Sequence, residues 1–495
     1  MKVLLLYPKF PKTFWSFKYA LYFIDKKAAF PPLGLLTVAS LLPPGWEKKL
    51  IDLNVRSLDE KSIEWADFVF ISAMDIQKES ALEIIKKSRK MGKRVVVGGP
   101  LFTTNYEEFL GKVDCFILGE AETALPGFLS DLKKGILNNI YKCDSWPNIN
   151  EIPIPSWDLI RIKDYASLCV QFSRGCPFNC EFCDIVILNG RVPRMKDKEK
   201  ILIELEILYR KGWRGNVFFV DDNFIGNKAK LKNEVLPALI EWMKEKKYPF
   251  TFNTQVSVNL ADDKELVEMM VRAGFTTVFV GIETPGEESL RGCGKMQNVN
   301  RNLLESVKFL QNCGLEVQAG FIVGFDQDTS TIFDRMIRFI QGSGITTAMV
   351  GLLQAPAKTR LWQRLKKEGR LTSQTSGDNT DCTMNFIPKM DQKSLITGYK
   401  KILNNIYSPK DYYNRLINFL KEYRPKKKRR YKPSFADFRT FWRAFWILGI
   451  REKERNYYWR LLFWGLFRRP KLLPALIEMA IKGFHLRKVS EKYLH

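Results

Sequence analysis

Three of the nine cysteines in this 495-residue chain crowd into one stretch, Gly175-Cys176-Pro177-Phe178-Asn179-Cys180-Glu181-Phe182-Cys183, with the spacing C-x3-C-x2-C. Three thiolates on so short a loop suit a soft metal or an iron–sulfur cluster, and a [4Fe-4S] cube bound by three cysteines keeps one iron without a protein ligand. That open iron is where chemistry would happen. A zinc centre asks for a fourth protein ligand, and Cys169 upstream and Cys293 far downstream do not complete a local set. The cysteine count is odd, and Met1-Lys2-Val3-Leu4-Leu5-Leu6-Tyr7-Pro8 reads as a buried strand and not as a secretion signal; both argue against a disulfide scaffold. The two histidines, His485 and His495, both fall in the last eleven residues, which removes Ser-His-Asp triads, Cys-His pairs and two-histidine zinc sites from everything before them. Cys115, Cys143, Cys169 and Cys313 read as small hydrophobes, Cys293 as structural before reactive, and Cys382 as no better placed for reactivity.

Something must hold that loop. The chain is too long for one core, and at 45% hydrophobic and 27% charged residues it has a globular composition. Short apolar runs at 1–8, 68–72, 94–97 and 115–118 alternate with helix-like stretches such as 80–91, which predicts parallel βα units in an α/β, doubly wound (Rossmann-like) sheet. The loops after these runs carry Ser72, Gly98, Gly99 and Gly119-Glu120, small residues at the strand ends where open α/β sheets bind ligands. A proline-bearing crossing at 144–157 leads to a second series, with strands expected at 168–173, 216–221, 250–256, 277–282, 316–323 and 348–352. Six such units predict a partial or full βα barrel with its site at the C-terminal ends of the strands, where the cysteine loop falls. The expected division is 1-150, 160-375 and 376-495, the last part helical, basic and aromatic.

The cysteine loop in this setting, with aromatic Phe182 just before the last cysteine, resembles the radical SAM superfamily. The resemblance implies that S-adenosylmethionine chelates the open iron and is cleaved to a 5′-deoxyadenosyl radical, the protein orienting the cofactor and excluding water. It also implies that Asp222, Ser257, Glu283 and Gln354, each near a barrel-strand end, border that cofactor, although Asp221 or Glu283 could equally cap a following helix. A doubly wound domain ahead of such a barrel is similar to the cobalamin-binding class of the superfamily, which makes Ser72, Gly98, Gly99 and Glu120 candidates for the corrinoid cleft. Stretches such as Phe30-Pro31-Pro32-Leu33-Gly34-Leu35 and Asn189-Gly190-Arg191-Val192-Pro193-Arg194 liken the chain to the branch containing hopanoid C-2 methylase. Many cobalamin proteins place a histidine beneath cobalt in Asp-x-His-x-x-Gly. Here the comparable stretch is Asp52-Leu53-Asn54, so cobalamin is expected without a protein histidine ligand.

The charge sits at the end. Residues 421–495 hold 21 Lys+Arg against 6 Asp+Glu in a chain of net charge +25. They are interleaved with Trp442, Trp446, Trp459, Phe463 and Phe467, but Arg443, Arg451 and Arg460 interrupt too often for a spanning helix. Such a segment suits an interfacial helix on an anionic membrane surface, with a packed helical subdomain as the alternative. Nucleic acid, with phosphate contacts at 426–430, ranks third because no RNA or DNA module is recognisable. By resemblance, the function is methylation of an unactivated carbon of a hopanoid-like or other isoprenoid lipid, by a cytoplasmic, peripherally membrane-associated enzyme served by an electron donor such as flavodoxin or ferredoxin. Two readings stand beside it: radical carbon–carbon bond formation or cyclisation on a membrane lipid without methyl transfer, and radical modification of RNA.

Overall fold

The computed structural model describes residues 1–425 and 435–494; the basic run 426–430 and His495 lie outside the described residues. Six parallel strands, β1 (Lys2–Tyr7), β2 (Glu47–Asp52), β3 (Phe68–Ser72), β4 (Arg94–Gly98), β5 (Cys115–Leu118) and β6 (Ile140–Lys142), form the first sheet in the order β2-β1-β3-β4-β5-β6. Val3 and Leu5 enter the core on one face of β1, and Leu4 and Leu6 enter the core on the other. Burial on both faces is what makes these strands continuous apolar runs, and it bears out the doubly wound expectation. Two strands went unread. β2 has the sequence Glu-Lys-Lys-Leu-Ile-Asp and β6 is three residues long, and both are edges, so neither presents an apolar run. The strand order reverses between β1 and β3, and the loops following those two strands part to leave a crevice.

β7 (Ser167–Val170) opens the second series, and an antiparallel ribbon of β8 (Ser173–Arg174) and β9 (Arg194–Met195) brackets the cysteine loop. β10 (Asn216–Phe219), β11 (Thr251–Val256), β12 (Phe275–Glu283), β13 (Glu316–Val323) and β14 (Ala348–Leu352) follow. β7 and β10 to β14 pair side by side in chain order, all parallel, with no pairing between β7 and β14: a partial barrel. All six expected strands are present. The first is split, because its run stops pairing after Val170 and turns into the ribbon. Side chains from the start of the chain reach the inner face of this sheet: the Trp15 ring lies 5.3 Å from that of Phe279 and its Nε1 3.1 Å from Met349 Sδ, while Phe30 lies 5.2 Å from Phe218.

The C-terminal part is helical, with helices Gln392–Ile406, Pro409–Glu422, Phe435–Trp446, Arg455–Arg468 and Leu473–Leu494. Among the described residues no helix is long and apolar enough to cross a membrane. His485, on the last helix, is fully buried and its Nε2 lies 2.9 Å from the Phe14 carbonyl oxygen. Burial pushes its pKa down to about 4. The folded chain therefore keeps this ring neutral where the unfolded chain protonates it, so the stability it contributes is complete above about pH 6.5 and is lost as pH falls toward 4. Between pH 7.5 and 5 the group accounts for a loss of about 2 kcal/mol. Urea unfolding at the two pH values will show that difference shrinking in His485→Phe, whatever the variant's absolute stability.

Candidate active site

Gly175 opens the cysteine loop at φ +96°, and a Cβ there would stand 2.9 Å from the Val192 carbonyl oxygen and 3.0 Å from that of Asn189. Only glycine lets the loop start lie so close to its return. Asp222, beyond β10, accepts from the Gly175 N–H at 2.8 Å and from the Asn189 side-chain amide at 2.9 Å, so one carboxylate ties both ends of the loop. Its neighbour Asp221 is fully buried and accepts from the Phe172 N–H and from the N–H and hydroxyl of Ser173; burial lifts its pKa to about 7.

The far side of the loop is held by Glu181, between the second and third cysteines. Its N–H donates to the Cys293 carbonyl at 2.8 Å, and its carboxylate takes Arg364 Nε at 2.5 Å and Nη2 at 3.2 Å. Arg364, on helix Arg360–Lys367, also holds Asp326 at 2.8 Å, and Arg360 donates to the Asn179 carbonyl at 3.1 Å. Arg364→Ala leaves all three cysteines in place but frees the loop. Groups that orient metal ligands are commonly worth about 10- to 100-fold in metal affinity, and iron loss to a chelator should accelerate on that scale. Arg364→Lys should restore only part, since an ammonium cannot make the two-pronged contact.

One cation faces the thiols. Lys295 is nearly buried and gives its ammonium to Glu283 Oε1 at 2.6 Å. Burial alone would lower its pKa, but the charge of Glu283 holds it above the ordinary value. Burial pushes the thiols of Cys176 and Cys183 up, so without a metal they stay protonated. Among the described residues no three His, Cys, Asp or Glu side chains gather tightly enough to hold a single metal ion. Three soft donors on one loop with a fixed cation beside them suit an iron–sulfur cluster.

Of the remaining expected residues, Ser257 donates to Asn259 Oδ1 at 2.6 Å, and its N–H goes to Asn223 Oδ1 at 3.1 Å. Gln354 gives its amide to the Thr383 carbonyl and leaves a buried Oε1 without a partner. Asp222 and Glu283 border the cysteine loop, Ser257 and Gln354 follow β11 and β14, and none of the four lines the large cavity described next.

A cavity of about 2200 Å³ runs from the β1/β3 crevice into the barrel. Ordinary small-molecule sites measure about 300–1,000 Å³, so this one has room for more than one ligand. Ser72, Gly98, Gly99 and Glu120 all line it on the sheet side, Phe218, Phe279 and Met349 on the barrel side, and Phe438 and Phe441 toward the C-terminal helices. Two glycines on the sheet side are fixed by the protein's own packing: a Cβ on Gly99, at φ +87°, would stand 2.5 Å from Ser72 Oγ, and one on Gly119 would stand 2.7 Å from Cys143 Cβ. Glu120 has a different employment, buried in ion pairs with Arg174 of β8 and Arg194 of β9, with Glu122 on Arg174 at 2.8 Å. Asp52 is occupied by the Tyr165 hydroxyl at 3.1 Å and the Asn54 amide at 2.7 Å.

A doubly wound domain whose glycine-lined crevice opens into a partial βα barrel, with three cysteines on one barrel loop, defines a cobalamin-dependent radical SAM enzyme. Residues 23–129 match the B12 binding domain, residues 170–340 the Radical SAM superfamily and residues 359–495 a domain of unknown function. An uncharacterized methyltransferase of Synechocystis sp. is 42% identical over 99% of this chain and 92% of its own length, and the hopanoid C-2 methylase of Rhodopseudomonas palustris is 34% identical over 82% and 77%. The fold is shared with the cobalamin-dependent S-adenosylmethionine radical enzyme OxsB, solved with aqua-cobalamin and S-adenosylmethionine bound, at a TM-score of 0.66 and 16% identity over 100% of this chain and 79% of that one. The chain belongs to the cobalamin-dependent radical SAM methyltransferases, whose cofactors are a [4Fe-4S] cluster, S-adenosylmethionine and cobalamin. Sequence reasoning passed over Arg174, Arg194, Lys295 and Arg364. Local signals stood beside three of them: Arg174 directly precedes Gly175-Cys176, Arg194 ends the stretch Asn189–Arg194, and Lys295 follows Cys293-Gly294.

Proposed function

We propose that this chain methylates an unactivated carbon of a hopanoid-like or other isoprenoid lipid. The observation that carries the reading is the continuous cavity, which joins the glycine-lined crevice to a barrel wall of Phe218, Phe279 and Met349 and has room for a bulky apolar substrate beside a flat cofactor. The similarity to a hopanoid C-2 methylase supports the same substrate class. In this reading Cys176, Cys180 and Cys183 hold the cluster, Asp222, Ser257, Glu283 and Gln354 border S-adenosylmethionine, and Ser72, Gly98, Gly99 and Glu120 wall the corrinoid cleft, within parts 1-150, 160-375 and 376-495. Bound together, the cofactors supply a radical that removes a substrate hydrogen and a methyl group that replaces it. The chain's own residues supply position: Lys295 fixes a positive charge beside the cysteine loop, and the rings of Trp15, Phe30 and Phe279 give the cavity an apolar barrel side. A lipid substrate makes the enzyme peripheral to a membrane, served by an electron donor such as flavodoxin or ferredoxin.

Protein reconstituted anaerobically with cluster and cobalamin, then given S-adenosylmethionine, reductant and lipid extract, should release 5′-deoxyadenosine and S-adenosylhomocysteine together and yield a methylated lipid. If 5′-deoxyadenosine rises alone with lipid, ring formation or coupling replaces methylation. If turnover follows added RNA and not lipid, the substrate class is wrong.

A further inference from the structure

Helix Phe435–Trp446 turns large apolar side chains outward at intervals of three or four residues: Phe435 is 81% exposed, Phe438 58%, Trp442 49% and Trp446 61%. On helix Arg455–Arg468, Phe467 is 78% exposed, with Phe463 and Leu466 about half so. Apolar exposure on this scale marks a surface that meets something. The charge around it has one dominant sign. Arg451, Lys453, Arg455, Arg468 and Lys471 are exposed, whereas the nearby carboxylates of Glu452 and Glu454 are turned onto Arg487 at 2.5 and 3.2 Å.

The same helix reaches the cavity. Phe438 and Phe441 line it together with Ile24, Leu473 and Pro474. Arg439 pairs with Asp25 at 3.0 Å and Arg443 donates to the Tyr22 carbonyl at 2.7 Å, which fastens the helix across the segment carrying Ile24. The exposed stripe and part of the cavity wall are therefore faces of one helix.

We propose that this stripe docks on an anionic bilayer and that the part of the cavity bounded by Phe438 and Phe441 is where lipid passes from the bilayer into the barrel. Rings at the headgroup boundary and cations on acidic headgroups use both halves of the surface. A second copy would set this basic face against itself, like charge on like, which disfavours self-association. The purpose of the docking rests on the lipid-substrate reading; the docking is measured without turnover.

The test is flotation of the full chain, with neither S-adenosylmethionine nor cobalamin, on phosphatidylcholine vesicles and on vesicles also containing phosphatidylglycerol. The chain should float with the anionic vesicles and do so less at high salt. Trp446→Ser with Phe467→Ser should weaken partitioning by about ten-fold or more, and Arg468→Glu with Lys471→Glu should remove the preference for phosphatidylglycerol. These side chains are exposed, and circular dichroism will verify that each variant is folded. Failure of the wild-type chain to float, flotation of the folded Trp446/Phe467 variant at wild-type strength, or a wild-type dimer that this variant converts to monomer would overturn the proposal. Flotation without lipid methylation would count against the substrate reading alone. Methylation of detergent-dispersed lipid without flotation would count against docking alone.

Discussion

Replacing Cys176, Cys180 and Cys183 together by alanine will abolish iron retention and 5′-deoxyadenosine formation while leaving the fold in place. The loop is tied down by Asp222 on Gly175 and Asn189 and by Arg364 on Glu181, contacts that do not involve a thiol. Losing the sulfurs therefore removes ligands without removing the anchors. Even groups one contact behind a metal ligand are worth about 10- to 100-fold, so loss of the ligands themselves should lower S-adenosylmethionine cleavage by more than about 100-fold. Iron analysis and circular dichroism after anaerobic reconstitution read the two halves of the expectation. Iron content unchanged from the wild type would remove the cluster from this loop.

Glu120→Gln will weaken the joint between the first sheet and the barrel by about 3–5 kcal/mol, the range for breaking a buried ion pair from one side. Glu120 serves two guanidinium ions at once, Arg174 and Arg194, and all three groups are largely shielded from water. Burial alone would depress the Arg174 pKa, but Glu122 and Glu120 hold it above the ordinary value. Despite its own burial, Glu122 is held below the usual carboxylate range by Arg174. Neutralising Glu120 leaves Arg194 with the carbonyls of Pro147 and Asn189, the face of Trp146 and only the longer-range charge of Glu122, which is already paired with Arg174. Urea unfolding followed by tryptophan fluorescence should shift to lower denaturant, and proteolysis should open at 143–157. Glu120→Met with Arg194→Met should cost less than Glu120→Met alone, because the double change leaves fewer buried charges uncompensated. Wild-type behaviour of Glu120→Gln would show that the joint is held by something else.

The parts of the site that lie close together in the chain are legible in its amino-acid sequence. The cysteine spacing, Gly175 and the six barrel runs are local patterns, and each stands where its pattern puts it. The four cleft residues share one cavity because equivalent loops of a doubly wound sheet open to the same edge. What escaped reading is long-range. Glu181 and Arg364 are 183 residues apart, and nothing in either neighbourhood announces the other. Glu120 reads as a small-loop residue of a ligand cleft, yet its carboxylate is committed to two arginines contributed by a different sheet. Edge strands β2 and β6 escaped for the opposite reason: β2 has an exposed, charged first half and β6 is only three residues long, so they lack the burial that writes itself into sequence.

Trp15 and Phe30 meet partners that the ribosome makes much later. Phe218, Phe279 and Met349 belong to β10, β12 and β14, and the Phe14 carbonyl waits for His485, 471 residues away. The first sheet can be assembled from the first 142 residues, and helix Leu33–Leu41 packs on it, but the stretch 14–30 has its partners in later parts of the chain and stays undocked until they are made. Contacts of such sequence separation are closed late and slowly. Production of this enzyme should accordingly be limited less by the stability of the finished molecule than by protection of residues 14–30 on the nascent chain, and chaperone supply should raise its yield more than lowered temperature.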